Sequence, residues 1–365
     1  MNEARSTRLI EAAVCRSFGA PLTLERVALS SPQGREVEVA IDAVAICHSD
    51  ISLADGGWGG ALPSIFGHEA AGRVVAAGPG VADIEPGDPV IVTLIRHCGS
   101  CGACATGRPV LCEAKGAGDG PLTTPAGAPM GQGLSTAAFA ERVVVDRSQV
   151  VRVPADVPAE AACLLACGVL TGVGAVVNTA RLRAGEDVVI VGAGGVGLNA
   201  IQGARIAGAR RIVAVDVADA KLESALAFGA TDAVLADEAP WKAARRALGR
   251  GADVVLVAVG AIAAYETATR YLGSGGRLVA VGMPHSGQTA AWEPVVLAAL
   301  GQSVTGSLMG DCVPERDVAW MVDLYRQGRL KLDELISGRW SLDRINEAIA
   351  DTRTGQARRN VILLR

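Results

Sequence analysis

Aromatic residues are scarce, histidines are few, and charge of neither sign dominates. Phe, Trp and Tyr make up 3% of the 365 residues and there are four histidines, so any aromatic or imidazole beside a site carries information. The formal net charge is -4, with acids and bases mixed along the chain. That balance removes the electrostatic reason to expect nucleic acid or an anionic membrane as partner and leaves small molecules. The N-terminal stretch MNEARSTRLIEAAVCRSFGAPLTL scatters charges where a secretory leader needs an unbroken apolar segment, so the expected compartment is cytoplasmic. The apolar run VVIVGAGGVGLNAIQGA is too short and too rich in glycine for a bilayer span.

Half of the residues are hydrophobic, enough for a substantial core, and at this length two domains are the expected division. Disulfides are disfavoured in a reducing compartment, so a cluster among the nine cysteines reads first as metal ligands. Four of them, Cys98, Cys101, Cys104 and Cys112, follow a C-x2-C-x2-C-x7-C spacing, with Gly99 and Gly102 letting the chain wrap and aim sulfurs inward. Four thiolates close a tetrahedral zinc and leave no open position, which points to a structural site. An iron–sulfur cluster is the main competing reading, although the spacing departs from the ferredoxin run C-x2-C-x2-C-x3-C-P. Free or disulfide-bonded thiols are the third.

Residues 8 to 45 show short alternating apolar stretches such as EVEVAIDAVAI, continued by EAAGRVVAAGPGV and DPVIVTLI, the pattern of a twisted antiparallel sheet. Near residue 160 the texture changes. GEDVVIVGAGGVG, RRIVAVDV, TDAVLA, ADVVLVAVG and GGRLVAVG arrive as apolar strands separated by helical segments, which predicts a parallel, doubly wound α/β sheet. The helix after Asp219 is expected to end at Gly229, and another to begin at Pro314 and end near Gly328. From about residue 298 the alternation gives way to VTGSLMG, the Pro314 helix and a final RNVILLR strand, so the last segment is expected to rejoin the first domain.

GAGGVG, Gly192 to Gly197, follows the strand-like VVIV and opens a helix, and Asp216 ends the next strand. In that context Gly192, Gly194, Gly195, Val196 and Gly197 form a dinucleotide fingerprint: the glycines permit a tight turn and close approach of backbone to pyrophosphate, and the helix N-terminus offers its amides. Asp216 is expected to bind the adenosine ribose hydroxyls and to repel a ribose phosphate, favouring NAD over NADP. Three further metal-ligand candidates stand far apart: Cys47 in AICHSD, His68 in IFGHEAAG and Cys167 in LLACGVLTG.

With these motifs together, CHSD, GHEAAG, the four-cysteine loop, CGVLTGVGAVVNTA, GAGGVG and GSLMGDCVPERD in that order, the chain resembles the zinc-dependent medium-chain alcohol dehydrogenases over essentially its whole length. The resemblance implies a GroES-like twisted, β-rich catalytic domain (1–165 and 300–365) and an NAD-binding Rossmann domain (166–299). It implies two zinc ions per chain, the catalytic one held by Cys47, His68 and Cys167. Two thiolates, one imidazole and an open position form a recognised catalytic zinc set. By the same resemblance Glu69 is a transient ligand behind the metal, Asp50 fixes the tautomer of His68, and Ser49 takes the proton of the substrate hydroxyl. Several members carry a histidine at the outer end of that proton relay where this chain has Ser52; water or His48 is then the exit.

Cofactor contacts are implied for His48, Thr171, Lys221 and Arg359, with Arg358 as an adjacent alternative. Trp58, Leu94 and Phe139 are implied as lining of a substrate pocket, which suits an apolar or arylalkyl alcohol, Leu94 and Phe139 being open to a core role as well. The expected reaction is reversible hydride transfer between a primary or secondary alcohol and NAD, in a homodimer or homotetramer. Within the family the nearest alternative is the glutathione-dependent formaldehyde branch (class III), against which EAKGAGDG after Cys112 lacks the arginine pattern used for the anionic adduct. From another class, a catalytically silent NAD-binding sensor or structural protein would need degraded ligands, and all are present.

Overall fold

The computed structural model describes residues 6–114 and 120–364; the first five residues of the N-terminal stretch and positions 115–119 of EAKGAGDG lie outside them. Among the described residues no single helix is long and apolar enough to cross a membrane. The chain divides into two units: Met1–Cys167 with Val313–Gln327 and Leu332–Arg365, and Gly168–Cys312 with Gly328–Lys331.

The first unit is built on strand Glu36–Ala45, which pairs antiparallel with Glu69–Ala77, with Arg142–Asp146 and with the C-terminal strand Arg359–Leu363. RNVILLR thus returns to the first unit, where Val361 pairs with Ala45. Alternation along these strands sends Val37, Val39, Ile41 and Val44 into a core shared with Ile10, Val14, Ile65, Phe66 and Phe139. Two parallel pairings, Ile336–Ser341 with Arg359–Leu363 and Ser64–Ile65 with Gly131–Gln132, interrupt the otherwise antiparallel pattern.

The second unit is a six-stranded parallel sheet in the order Asp232–Leu235, Arg211–Asp216, Asp187–Val191, Ala252–Val257, Leu272–Ala280, Ser303–Gly306. Its strand order, 3-2-1-4-5-6 in chain sequence, is the doubly wound dinucleotide-binding arrangement. The strands are near-continuous apolar runs because both faces are covered, with Val189, Val213 and Val255 fully buried. The helix Asp219–Phe228 ends at Gly229, whose φ of +114° is the left-handed cap that glycine adopts without a steric penalty.

The expected domain limits differ from these units at residues 300–312. Ser303–Gly306 hydrogen-bonds to Arg277–Ala280 as the sixth parallel strand, so this segment packs with the second unit and the chain returns to the first at Val313. Cys167 and Ala166 belong to the first unit.

Candidate active site

Strand register assembles the first cluster. Cys47 follows the strand Glu36–Ala45, His68 immediately precedes the strand Glu69–Ala77, and Ala45 pairs with Glu69, so both ligand candidates reach the same end of neighbouring strands. Cys167 sits between the 3-10 turn Cys163–Ala166 and the helix starting at Gly168, in a non-helical conformation with φ -146° and ψ -70°. Thr93 Oγ1 donates to the Ala166 carbonyl at 2.6 Å and anchors that approach. Ligand atoms of Cys47, His68, Glu69 and Cys167 lie within 4.8 Å of one another, and all four residues are buried.

Asp50 organises the set. His68 Nδ1 donates to Asp50 Oδ1 at 2.9 Å, which also accepts the Gly67 N–H at 2.9 Å, while Oδ2 accepts the Cys47 N–H at 3.2 Å. One buried carboxylate therefore holds the imidazole orientation and ties down the backbone at two ligands. With Nδ1 committed, Nε2 is left as the ligand nitrogen. Ser49 Oγ lies 3.2 Å from that Nε2, beside the position a metal and a substrate oxygen would share.

The electrostatics fit a divalent cation. The hydrogen bond between the two buried sulfurs holds the Cys47 thiol well below its ordinary pKa and pushes Cys167 well above. Burial disfavours charge on His68, yet Asp50 and Cys47 outweigh it and raise the imidazole. Burial drives Glu69 up to about 8 against the pull of Arg359, and neither carboxylate oxygen of Glu69 has a hydrogen-bond partner. Buried polar groups normally have such partners. A zinc ion would bind both sulfurs as thiolates, accept the Nε2 lone pair and give Glu69 a counter-charge. Tetrahedral ligation with Zn–S near 2.3 Å gives ligand-to-ligand edges of about 3.8 Å, which the cluster accommodates.

Cys98, Cys101, Cys104 and Cys112 form the second cluster, again within 4.8 Å. Cys101 Sγ and Cys112 Sγ are 3.9 Å apart, close to the tetrahedral edge. Backbone N–H groups of Ser100 and Cys101 point at Cys98 Sγ, and that of Cys98 at Cys112 Sγ; the Ser100 and Cys101 amides lower the Cys98 thiol to about 6. Amides converging on sulfur favour thiolate, the form that binds metal. Of the two glycines expected to shape this loop, Gly99 has φ +76°, whereas Gly102 opens the short helix Gly102–Ala105.

In the second unit the strand Asp187–Val191 turns through Gly192, φ +95°, into the helix Gly195–Ile206, whose cap Gly194 makes no side-chain bond to the first amides. A Cβ on Gly197 would stand 1.8 Å from the Gly192 carbonyl oxygen, while one on Gly194 would meet nothing within 4 Å. The first glycine lets helix and turn touch; the second leaves open space over unsatisfied amides where an anion fits. Asp216, 7% exposed at the end of the next strand, accepts the Ala193 N–H at 2.7 Å, and Lys221 Nζ lies 4.0 Å from its other oxygen. Thr171 is buried and donates to Met309 Sδ at 3.5 Å.

Other expected site residues are placed differently. Arg359, assigned to a cofactor phosphate, is 4% exposed, with Nη2 3.5 Å from Glu69 Oε1 and no hydrogen-bond partner for that nitrogen; it faces the acid behind the metal cluster. Arg358 donates to the Glu334 carbonyl. Phe139 is 1% exposed within the core, and a Cβ on Gly67 would lie 2.7 Å from its ring, so it backs the His68 approach instead of offering a free face. Trp58 and Leu94 are half-buried and His48 is exposed. Exposed Val217, Leu235 and Val259 escaped notice in the sequence. The available signal was an apolar residue at or just beyond the carboxyl end of each parallel strand, where ligands of such sheets bind.

Residues 33–155 match the family Alcohol dehydrogenase GroES-like domain, and residues 195–327 match Zinc-binding dehydrogenase. The chain belongs to the zinc-dependent medium-chain dehydrogenases. This dehydrogenase is 37% identical to the NDMA-dependent alcohol dehydrogenase of Amycolatopsis methanolica, over 97% of its own length and 98% of the relative's. Among solved structures it is similar to an alcohol dehydrogenase zinc-binding domain protein from Burkholderia ambifaria, with TM-score 0.94, 35% identity and coverage of 99% and 100% of the two chains. It is also similar to the benzyl alcohol dehydrogenase of Acinetobacter calcoaceticus, with TM-score 0.92, 31% identity and coverage of 98% and 100%. The GroES-like and Rossmann folds expected from the sequence are the folds found, and the enzyme is an oxidoreductase of the alcohol dehydrogenase type.

Proposed function

We propose that this cytoplasmic dehydrogenase interconverts an apolar or aryl primary or secondary alcohol with its aldehyde or ketone, using NAD and two zinc ions per chain. The observation that carries the reading is the buried set Cys47, His68 and Cys167 clamped by Asp50, with Ser49 Oγ 3.2 Å from the ligand nitrogen. When bound, zinc supplies a Lewis acid that lowers the pKa of a hydroxyl, and NAD supplies the hydride acceptor. Asp50 engages His68 Nδ1 and leaves Nε2 pointed at the metal position. Ser49 accepts the proton leaving the substrate hydroxyl and hands it outward; Ser52 is no base at neutral pH, so His48, exposed next to Ser49, or water receives it. Glu69, balanced by Arg359, would stand ready to offer a carboxylate to a metal held there.

The glycine turn and the amides of helix Gly195–Ile206 hold the pyrophosphate, Asp216 the adenosine ribose, and Val217 and Leu235 an apolar surface for the adenine. Replacing Asp216 with serine is expected to cut the preference for NAD over NADP by about a hundredfold in kcat/KM, since the carboxylate both bonds the ribose hydroxyls and repels a phosphate. An unchanged ratio would remove that role.

The aryl substrate class draws on the Acinetobacter relative. The deciding assay is a panel of benzyl, aliphatic and secondary alcohols with NAD, with NADP, and with and without NDMA, plus formaldehyde with glutathione. Benzyl alcohol turnover with NAD supports the proposal. Turnover only when NDMA is present transfers the dependence named for the Amycolatopsis relative to this chain, and activity confined to the glutathione adduct assigns the formaldehyde branch.

Self-association through the cofactor unit is the companion proposal. The helix Pro294–Ala299 buries none of its residues, Val295 and Leu300 are 70% and 39% exposed, and the edge strand Ser303–Gly306 is paired on one side only. An uncharged helix beside an open strand edge suits a second copy of the same surface. Val295→Arg is expected to reduce the solution mass toward the 37.2 kDa of one chain, measured by light scattering; an unaltered oligomer would place the interface elsewhere.

A further inference from the structure

The two cysteine-containing clusters of the first unit share one short turn. Strand Pro89–Val92 pairs antiparallel with Val150–Arg152, Val92 opposite Val150, and the ladder runs one residue further, the Thr93 N–H donating to the Gln149 carbonyl at 2.9 Å. Gln149 closes the 3-10 turn Arg147–Gln149 and is 1% exposed. Both donors of its side chain are committed, Nε2 donating to the Thr93 and Ser135 carbonyls at 3.0 Å each, while Oε1 accepts the Asp146 N–H at 3.3 Å. A buried amide bonded on both its nitrogen and its oxygen has one orientation. Its neighbour Ser148 is held as firmly: Oγ donates to Asp146 Oδ1 at 2.7 Å and accepts the His97 N–H at 3.0 Å.

These bonds reach both clusters. His97 precedes Cys98, so Ser148 fixes the entry to the four-cysteine loop. Thr93 is fully buried, and with its backbone fixed by Gln149 its hydroxyl donates at 2.6 Å to the carbonyl of Ala166, the residue before Cys167. Cys167 leaves the 3-10 turn Cys163–Ala166 in a non-helical conformation, so a fixed carbonyl on its N-terminal side sets where its sulfur points. We propose that Thr93 and Gln149 are positioning residues that hold Cys167 for its metal, and that the turn Arg147–Gln149 braces this ligand and the four-cysteine loop together. Groups hydrogen-bonded behind metal ligands govern how tightly the metal is held. The inference rests on the two-zinc reading above and extends it beyond Asp50, which steadies Cys47 and His68.

The test follows zinc release from the metal-loaded protein to a colorimetric chelator, with thermal melting of the same samples. Two zincs per chain give two phases, and Cys47→Ser, which should lack the buried ion, identifies the phase that belongs to each cluster. Thr93→Val keeps the side-chain shape but leaves the Ala166 carbonyl without its donor. It is expected to speed release from the buried cluster about tenfold and to leave the other phase unchanged. Thr93→Ser returns the hydroxyl and should return the parent rate. Ser148→Ala should speed only the four-cysteine phase, and Gln149→Met, which removes the anchor common to both, should speed both. An unchanged buried phase in Thr93→Val overturns the brace, as does equal acceleration in the valine and serine variants, or acceleration of both phases together in Thr93→Val. A Gln149→Met protein in which only one phase speeds up overturns the shared turn. A parent that releases one zinc or none defeats the two-zinc reading, and the inference with it.

Discussion

Cys47→Ser is expected to leave one zinc per chain and to abolish turnover. Serine keeps the shape of the side chain, but its hydroxyl stays protonated at neutral pH and is a poor zinc ligand, so two of three protein donors remain. The lost Lewis acid is worth several kcal/mol of transition-state stabilisation, a fall of about a thousandfold or more in kcat/KM. Metal analysis provides an internal control, because Cys98, Cys101, Cys104 and Cys112 are remote in sequence, form their own cluster and should keep their ion. A drop from two zincs to one with intact folding assigns the chemistry to the buried cluster. Two zincs and undiminished turnover in the variant would sink the catalytic assignment.

Gly197→Ala carries the second large effect. Its added Cβ would lie 1.8 Å from the Gly192 carbonyl oxygen, a backbone atom held by the turn at Gly192 and by the Gly192 N–H bonded to the Val215 carbonyl. No side chain can swing aside, so the helix Gly195–Ile206 must lift from the strand. A cost of about 3 kcal/mol or more in stability is expected, read by thermal melting, with loss of NADH binding. Gly194→Ala is the informative contrast: nothing lies within 4 Å of that Cβ, so the protein should melt normally yet bind NADH poorly, the methyl occupying the space over the amides. Equal melting of the two variants would mean that the motif's glycines do not divide their work between packing and ligand approach.

Much of this was legible in the amino-acid sequence because the signals are short-range. The dinucleotide turn lies within six residues, the four-cysteine loop within fifteen by the count from Cys98 to Cys112, and the parallel strands announce themselves as uninterrupted apolar runs. Their chemistry follows from residue type and spacing: a thiolate cluster binds metal, and a glycine turn opening a helix binds phosphate.

Pairings across hundreds of residues had no such local trace. The resemblance implied Arg359 as a phosphate ligand; only the pairing of Val361 with Ala45 brings it to Glu69. Phe139 read as pocket lining, and the packing of its ring on Gly67 makes it core. The strand Ser303–Gly306 looked like the start of the returning segment, yet its hydrogen bonds complete the parallel sheet. Most hidden of all is the left-handed run at Met309–Asp311, because neither Met nor Asp signals a strained backbone; the strain persists where Gly174, Asn178 and Thr179 enforce it. The sequence by itself determined the family, the two folds and the residues that are candidates to bind metal. Tertiary structure alone decided which arginine faces which carboxylate and where the backbone is strained, since those depend on contacts between segments that only folding brings together.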